Sequence, residues 1–341
     1  MRDLRALPKA HLHLHLTGSM RPATARELAH RHGVDIPPMP SWEQAGDWSR
    51  FQQPYDAARE AIRTAADVER VVREAAEGDA ADGSGWLEIQ VDPTSYAPRL
   101  GGLEATIEVL LGAAQKAARA TGVGVGIVVA ASWARPGRDA EALARLASRY
   151  AAHGVIGFGL SNDERRGRVA DFAQAFRIAR EAGLAGVPHG GFFAGGWHVR
   201  ECVELLGARR IGHGISAAAD PAALEALVAR GVVLEVCLTS YAPFGVVDTV
   251  AGVPLRRLRD AGVSVALGTD DPLLFGTGLA GQYALARDAL GFNDAELAEL
   301  ARCSIRGSMA PAGVKAQLLA GVDAWLGQPE SITARPSRGE W

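Results

Sequence analysis

Leucine and histidine alternate near the beginning of the chain, in the stretch Leu7-Pro-Lys-Ala-His-Leu-His-Leu-His-Leu-Thr-Gly-Ser19. A period of two residues is typical of a β-strand and not of a helix. The alternation places His11, His13 and His15 on one face of the strand and the leucines on the other. Two imidazoles on one face, separated by a single residue, can converge on one metal ion. Buried histidines that pair within a protein core give the same pattern.

Further short apolar segments follow along the chain, and each precedes a segment rich in alanine, leucine and arginine with helical spacing. We predict strands over Trp86–Val91, Gly124–Ala130, Val155–Leu160, Leu184–Pro188, Arg210–Gly212, Val232–Cys237 and Val263–Leu267. With His11–Leu16 as the first strand, the chain contains eight strand–helix units. Eight alternating units favour the α/β class and a (β/α)8 TIM barrel. A doubly wound open sheet is the alternative, but its Gly-x-Gly-x-x-Gly fingerprint follows none of the strands.

The region between the first two strands is longer than a barrel unit requires. A segment that contains proline and tryptophan runs from Ile36 to Phe51, and a long helix is predicted from about Pro54 to Gly78. We therefore expect an inserted helical region over about 36–80, near one mouth of the barrel. Residues 1–326 are predicted to form a single barrel domain, and residues 327–341 a loosely held polar tail.

Composition agrees with an ordinary globular protein. The 341 residues suit one α/β barrel, and 48% hydrophobic and 22% charged residues are usual for such a protein. A formal net charge of −3 gives no reason to expect nucleic acid or an anionic membrane as a partner. No apolar run approaches the roughly 18–20 residues of a membrane span. A small-molecule substrate is the partner that we expect, and the oligomeric state is not predicted.

The cysteines and the N-terminal residues indicate a cellular compartment. Three cysteines without Cys-x-x-Cys spacing predict neither a disulfide framework nor a thiolate zinc site. The N-terminal residues contain no apolar core followed by a small-residue cleavage site. We therefore expect a cytoplasmic protein.

Histidines and aspartates follow the ends of four predicted strands. His13 and His15 end the first strand, His189 the fifth and His213 the sixth, while Asp270-Asp follows the eighth. In a barrel of this kind the reacting residues lie at the C-terminal ends of the strands. Imidazole and carboxylate groups are ligands that zinc prefers. The spacing therefore predicts a metal site at one end of the barrel.

Four motifs, in this order, resemble those of the adenosine/AMP deaminase family of the amidohydrolase superfamily. They are Lys9-Ala-His-Leu-His-Leu-His-Leu-x-Gly, Ile211-Gly-His-Gly, Glu235-Val-Cys-x-Thr-Ser and Thr269-Asp-Asp-Pro. Each motif alone is weak, but together they are specific, and the resemblance runs from about Leu7 to Ala310. The other class of zinc deaminase uses H-x-E with P-C-x-x-C, and neither motif occurs here.

The resemblance implies a mechanism and a set of site residues. One Zn²⁺ ion per chain would be held, with a water as the remaining ligand, by His13, His15, His189 and Asp270. His213 would be the base that orients and deprotonates that water, and Asp271 would share a hydrogen bond with the substrate ring. The loop Gly159–Glu164 matches the family's ring-contacting loop. The expected substrate contacts are His15, Thr17, Asn162, Phe192 and Asp271.

The strand-five motif departs from the family pattern. The usual motif is His-x-Gly-Glu, and its glutamate donates a proton to the purine ring. Here the run is His189-Gly-Gly-Phe192, and a phenyl ring cannot donate a proton. General acid catalysis typically contributes about 10²–10⁴ in rate. Phenylalanine at this position also makes that side of the pocket more apolar.

Two further departures lie on the expected substrate side. Thr17 stands where many members have an aspartate that grips the nucleoside sugar, and Leu238-Thr-Ser-Tyr stands where Pro-Thr-Ser-Asn is more usual. Among the groups that could replace the missing acid, Glu235 is expected to have a supporting structural role. His198 and Glu201 are expected at the exposed start of the helix that follows.

Three functions follow from this pattern. The first is a zinc-dependent aminohydrolase of the adenosine deaminase type, which acts on a 6-aminopurine nucleoside or a related compound. The second is a divergent zinc hydrolase of the same fold that acts on an amide, lactam or ester, because the proton-donating glutamate is missing. The third is an inactive barrel with a binding role. Trp42, Trp48 and Phe51, in the insertion, either cover the pocket or only fasten that segment.

Overall fold

The computed structural model describes residues 1–38 and 48–328, and it contains an eight-stranded parallel barrel. Each strand pairs with the next along the chain. The strands are β1 (Lys9–His15), β2 (Ser84–Val91), β3 (Gly124–Ser132), β4 (Val155–Ser161), β5 (Ala185–Gly190), β6 (Arg210–His213), β7 (Val233–Val236) and β8 (Ser264–Leu267). The predicted (β/α)8 barrel is confirmed.

Backbone hydrogen bonds between β1 and the residues after β8 close the barrel. The amide of His15 donates to the carbonyl of Asp270 at 3.1 Å, and the amide of Asp270 donates to the carbonyl of His13 at 3.0 Å. Asp270 is therefore tied by its own backbone to the strand that carries two of the histidines.

The described helices surround the barrel. They are α1 (Pro22–His32), α2 (Trp48–Glu60), α3 (Ala65–Ala81), α4 (Ala97–Leu100), α5 (Leu103–Thr121), α6 (Gly137–Arg149), α7 (Ala173–Glu181), α8 (Gly196–Leu205), α9 (Pro221–Arg230), α10 (Leu255–Asp260), α11 (Pro272–Phe275), α12 (Leu279–Asp288), α13 (Asp294–Gly307) and α14 (Ala312–Gly327). Leu12 and Leu14, which alternate with the histidines of β1, are each 3% exposed and belong to the hydrophobic core. Burying a leucine side chain contributes about 1.5–3 kcal/mol.

The insertion contains two helices where the sequence predicted one. α2 ends at Glu60 and α3 begins at Ala65, so the single helix predicted over Pro54–Gly78 is wrong. The break arises from a capping box. Thr64 Oγ1 accepts a hydrogen bond from the Asp67 amide, and the Asp67 carboxylate accepts one from the Thr64 amide. This exchange starts a new helix at that point. Of the predicted insertion, residues 39–47, including Trp42, lie outside the described residues.

The last described helix is fastened to the start of the chain. Trp325, which is 1% exposed, donates from Nε1 to the carbonyl of Asp3 at 2.8 Å. α14 ends at Gly327, and most of the predicted tail, residues 329–341, lies outside the described residues. The boundary at residue 326 stays a prediction. No helix within residues 1–38 and 48–328 is both long enough and apolar enough to cross a membrane.

Candidate active site

Four side chains converge at the C-terminal end of the barrel. His13 and His15 extend from β1 and His189 from β5, and Asp270 follows β8. The Nε2 atom of His15 lies 3.2 Å from Nε2 of His189 and 3.2 Å from Oδ1 of Asp270. Nε2 of His13 lies 3.4 Å from the same carboxylate oxygen. One donor atom from each of the four residues lies within 4.8 Å of all the others.

These separations suit a tetrahedral zinc ion. With zinc–ligand bonds of about 2.0–2.1 Å, neighbouring ligand atoms of a tetrahedron lie about 3.3 Å apart. The Nε2 atom of His13 is buried and has no hydrogen-bond partner among the described residues. An unpaired buried polar atom typically costs about 1–3 kcal/mol, and a bound cation would remove that cost. The residues present therefore fit a divalent metal.

The charges around His13 also favour a cation. Burial alone would lower the pKa of His13, but contacts with Asp270 and Glu235 raise this pKa to about 10. The pKa of Asp270 lies well below its usual range despite burial, because His13 and His15 contact it. Burial, together with the neighbouring histidines, lowers the pKa of His189, which keeps that imidazole neutral as a metal ligand must be.

A second group of donors shares part of this site. His13, His213, Cys237 and Asp270 also offer atoms within 4.8 Å of one another. Burial raises the pKa of the Cys237 thiol well above its usual value. Metals are bound by the thiolate, so the set with three histidines and one aspartate is favoured.

A buried chain of charged groups supports His13 from inside the barrel. Nδ1 of His13 donates to Oε2 of Glu235 at 3.0 Å, and Nε of Arg210 donates to Oε1 of the same carboxylate at 2.5 Å. Arg210 also pairs with Glu88, and these side chains are at most 2% exposed. A carboxylate on the far ring nitrogen fixes the histidine tautomer and orients the other nitrogen towards the metal. Glu235 therefore has the supporting role expected from the sequence.

We expect Glu235→Gln to weaken zinc binding by about 10–100-fold. Glutamine keeps the size of the side chain but cannot hold the His13 tautomer through a charged hydrogen bond. Competition with a chromogenic chelator measures the affinity, and circular dichroism verifies the fold. Glu225→Gln, at an exposed position on α9, is the matched control. Equal affinities for both variants would show that Glu235 does not support the site.

The proposed base and the second aspartate lie beside this cluster. Nε2 of His213 lies 3.8 Å from Oδ2 of Asp270, and its ring centroid lies 4.9 Å from that of His13. Burial lowers the pKa of His213 to about 3, so its imidazole is neutral at pH 7. Burial raises the pKa of Asp271 to about 7. A Cβ atom on Gly18 would stand 1.8 Å from Oδ1 of Asp271, so only glycine allows this aspartate its position.

Three site residues adopt left-handed backbone conformations. Asn162, His213 and Asp270, with φ of 75°, 69° and 60°, are the non-glycine residues with positive φ in the described part of the chain. All three line the same cavity. Such conformations cost about 1–3 kcal/mol each and cluster at functional sites, where the surrounding structure holds them in place.

The cavity beside the cluster is strongly aromatic. It encloses ≈ 1090 Å³ of empty space, a figure that includes the solvent at its open mouth. Its aromatic lining residues are Trp48, Phe51, Tyr55, Tyr96, Phe192, Phe193, Phe244 and Phe275. Trp48 and Phe51 come from the insertion, so this segment contributes to the wall of the pocket.

Four of the five residues that were expected to contact the substrate line the cavity. They are His15, Asn162, Phe192 and Asp271. Thr17 is not among the lining residues, and its fully buried hydroxyl shares a 2.6 Å hydrogen bond with the hydroxyl of Tyr96. The expected contact between Thr17 and the substrate stays a prediction that this geometry does not support, because Tyr96 takes up the Thr17 hydroxyl and stands at the cavity wall.

Phe192 lies directly against the proposed base. Its ring centroid lies 4.6 Å from that of His213, at an interplanar angle of 66°, and 5.4 Å from that of Tyr241. The side chain is 8% exposed. The side of the pocket next to His213 is thus an apolar aromatic surface.

Sequence reasoning missed the importance of Glu164 and misplaced His198. Glu164 follows β4, lines the cavity and is 3% exposed. His198, expected at an exposed helix start, is 1% exposed and packs against Trp133 with ring centroids 5.2 Å apart. Glu201, which was also expected to be exposed, is half-buried. The helical spacing of His198 and Cys202, which share the buried face of α8, is the signal that could have placed His198.

The chain is similar to proteins that are named as adenosine or adenine deaminases. The family model described as adenosine deaminase matches residues 8–325. A protein of Streptomyces coelicolor named "Putative adenosine/adenine deaminase" is 56% identical over 339 residues, covering 96% of this chain and 98% of its own. The crystal structure of adenine deaminase from Arthrobacter aurescens superposes with a TM-score of 0.86 at 30% identity, covering 94% of this chain and 99% of that chain.

A more distant structure shares the fold. An amidohydrolase from Burkholderia ambifaria, solved with bound zinc, superposes with a TM-score of 0.84 at 24% identity. The alignment covers 96% of this chain and 94% of that chain.

Proposed function

This chain belongs to the adenosine deaminase family and is a hydrolase acting on C–N bonds, and on that premise we propose that it is a zinc-dependent aminohydrolase. Its substrate is a 6-aminopurine, as nucleoside or free base, or a related compound. The relatives named adenosine/adenine deaminase and adenine deaminase support this substrate class.

The observation that carries the proposal is the convergence of His13, His15, His189 and Asp270. Their donor atoms are separated by distances that suit zinc, and a set of three imidazoles and one carboxylate is borderline-soft, as zinc prefers. The Burkholderia amidohydrolase of the same fold contains zinc. When bound at such a site, zinc lowers the pKa of a coordinated water from 15.7 to about 7.

The other residues of the cavity supply proton transfer and orientation. His213 is neutral and lies beside the donor cluster, with its Nε2 atom 3.8 Å from Oδ2 of Asp270, and it is the group placed to take a proton from water. Asp271 lines the cavity, and its carboxyl group can share a hydrogen bond with a ring nitrogen. The neighbouring Asp270 faces the histidines, so the two consecutive carboxylates have separate roles.

The surroundings of the site favour a planar aromatic substrate. Aromatic side chains provide faces and edges against which a purine ring packs, at centroid distances of about 4.5–7 Å. Phe192, Phe193 and Phe244 form one continuous cluster beside His213.

The apolar Phe192 favours a second candidate function. A hydrolase for an amide, lactam or ester needs the same metal chemistry but no protonation of an aromatic ring. Both candidates place His213 as base and differ only in the substrate.

Ammonia release tests the first candidate against the second. We expect purified enzyme to release ammonia from at least one member of a panel that contains adenine, adenosine, AMP and their N6-methyl derivatives, the last releasing methylamine. Chelation should abolish the activity, and zinc should restore it. A panel without any amine release, combined with hydrolysis of an amide, lactam or ester, would contradict deamination in favour of the second candidate.

The proposal also covers the cellular compartment and the partners of the enzyme. The three cysteines, Cys202, Cys237 and Cys303, are all free, as is usual for cytoplasmic proteins. We propose a cytoplasmic enzyme whose partner is its small-molecule substrate, without nucleic acid or membrane.

A further inference from the structure

The turn after β2 forms part of the cavity wall. It runs over residues 92–96, and three of its side chains, those of Asp92, Ser95 and Tyr96, line the cavity beside the proposed metal site. The hydroxyl of Tyr96 takes up that of Thr17 at 2.6 Å, and Thr17 is fully buried. The side chain at the position where the family pattern has its sugar-binding aspartate is therefore buried against this turn.

Asp92 has one carboxylate oxygen that is fixed by the turn and one that is available to a ligand. Its Oδ1 atom accepts hydrogen bonds from the amide of Thr94 at 2.9 Å and from Oγ1 of Thr94 at 2.6 Å. Both bonds go to the same oxygen, and together they orient the carboxyl group. Oδ2 is solvent-accessible and accepts no hydrogen bond from residues 1–38 and 48–328. It can therefore accept one from a molecule in the cavity.

A guanidinium group lies close to this carboxylate. Arg59, near the end of α2, lines the same cavity. Burial raises the pKa of Asp92, and the positive charge of Arg59 opposes that rise. Nη1 of Arg59 donates to Oγ of Ser95 at 3.4 Å, Nη2 lies 2.9 Å from Oδ1 of Asp56, and the guanidinium carbon lies 5.0 Å from the ring centroid of Tyr55. These contacts hold the side chain, and they leave further N–H groups without a partner in the described part of the chain.

An acceptor beside a donor is the arrangement that suits a hydroxyl group. A hydroxyl group donates one hydrogen bond and accepts others, so a sugar hydroxyl can donate to Asp92 and accept from Arg59. A phosphate group at neutral pH is mainly an acceptor, and the negative charge of Asp92 would repel it. A free purine base has no hydroxyl group. The pair therefore favours a neutral substituent that carries hydroxyl groups.

The position of Asp92 along the barrel suits a substituent of the purine and not its reacting end. In the pairing of β1 with β2, Gln90 lies opposite His15, one of the four proposed metal ligands. Asp92 follows Gln90 by two residues with an extended backbone, which places it about 6.6 Å farther along the strand and on the same face. This distance is similar to the length of a purine ring system. A purine with its reacting carbon at the metal site therefore points its far end towards Asp92.

We propose that Asp92 recognises a sugar hydroxyl group of the substrate, with Arg59 as its partner, and that this contact makes the enzyme select a purine nucleoside over the free base. This inference rests on the proposed deaminase function and narrows its substrate. The turn after β2 buries the side chain of Thr17 and supplies a carboxylate of its own. We expect wild-type kcat/KM for adenosine to exceed that for adenine at least about tenfold.

The variant Asp92→Asn removes the free carboxylate oxygen and keeps the turn. The asparagine oxygen accepts the same two hydrogen bonds from Thr94, whereas the amide nitrogen cannot accept one from a hydroxyl group. We expect kcat/KM for adenosine to fall about 10–100-fold, as for the loss of a hydrogen bond to a charged group, and kcat/KM for adenine to stay within about twofold. Asp260→Asn, at an exposed position on α10, is the matched control and should leave both values unchanged. Zinc content and the thermal midpoint verify the site and the fold.

Deoxynucleosides identify the hydroxyl group that Asp92 contacts. The 2′-, 3′- and 5′-deoxy forms of adenosine each lack one hydroxyl group. We expect one of them to be a poorer substrate of the wild-type enzyme by a factor close to that of Asp92→Asn, and to lose no further activity in that variant. Such non-additivity indicates that the missing hydroxyl group and the missing carboxylate form one contact. A purely structural role of Asp92 would lower the activity with every substrate alike.

Each outcome of these measurements decides the inference. Equal losses with adenosine and adenine in Asp92→Asn, or no loss with either, overturn the role of Asp92 and leave the deaminase function standing. Additive losses with all three deoxynucleosides also overturn it, and so does a wild-type enzyme that prefers adenine or AMP to adenosine. A wild-type enzyme that releases no amine from any purine base, nucleoside or nucleotide overturns both the function and the inference.

Discussion

Asp270→Asn is expected to abolish productive metal binding and to lower kcat/KM by about 10⁴-fold or more. The Asp270 carboxylate contacts His13 and His15, and an amide oxygen without charge is a much poorer ligand for zinc. Loss of the ion removes the lowered pKa of the reacting water, which accounts for the size of the effect. Asparagine tolerates the left-handed backbone at this position, so the fold should persist.

The adjacent residue provides the control for this experiment. Asp271→Asn changes the same functional group one residue later, but Asp271 lies outside the four-residue donor cluster. We expect this variant to keep one zinc per chain and to lose activity through weaker contact with the substrate ring. Metal analysis after dialysis, together with steady-state kinetics, measures both quantities. Retention of zinc by Asp270→Asn would contradict its assignment as a ligand.

The second large effect is expected from His213→Asn, which should lower kcat about 10²–10⁴-fold without loss of zinc. His213 Nε2 lies 3.8 Å from Asp270, farther than the closest contacts among the four proposed ligands, and it faces the cavity with a neutral ring. Asparagine accommodates the φ of 69° but cannot take a proton from water. Steady-state kinetics and zinc content of the same sample measure the result.

His153→Asn is the matched control for this variant, because His153 is exposed and remote from the cavity. It should leave kcat and zinc content unchanged. If His213→Asn also loses its zinc, His213 is a ligand and the second group of donors, with Cys237, becomes the better description of the site.

Much of the fold could be predicted because the strands of the barrel are short and apolar and alternate with helical segments. Seven of the strands were recognised from segments bounded by turn residues, and the first from the alternation of β1. Since parallel strands point in one direction, residues that follow their ends meet at one mouth of the barrel. His13, His189, His213 and Asp270 could therefore be brought together from the sequence without knowledge of any distance.

The parts that could not be predicted depend on contacts between distant segments. Glu164 is important because its carboxyl group meets amides 28 to 30 residues later, and amides leave no signature in a sequence. The pairing of Arg210 with Glu88, 122 residues apart, likewise places charges where a barrel interior is usually filled by branched apolar residues. The sequence likewise gives no sign that Tyr96, 79 residues later, shares a hydrogen bond with the Thr17 hydroxyl.

X-ray absorption spectroscopy of the zinc-loaded enzyme tests the central claim most directly, because it reports which atoms surround the ion. With His13, His15, His189 and Asp270 as ligands, we predict one zinc per chain, bound only by nitrogen and oxygen at about 2.0–2.2 Å. A chain that takes up no zinc would contradict this account, and so would a zinc–sulfur distance of about 2.3 Å, which would place Cys237 among the ligands.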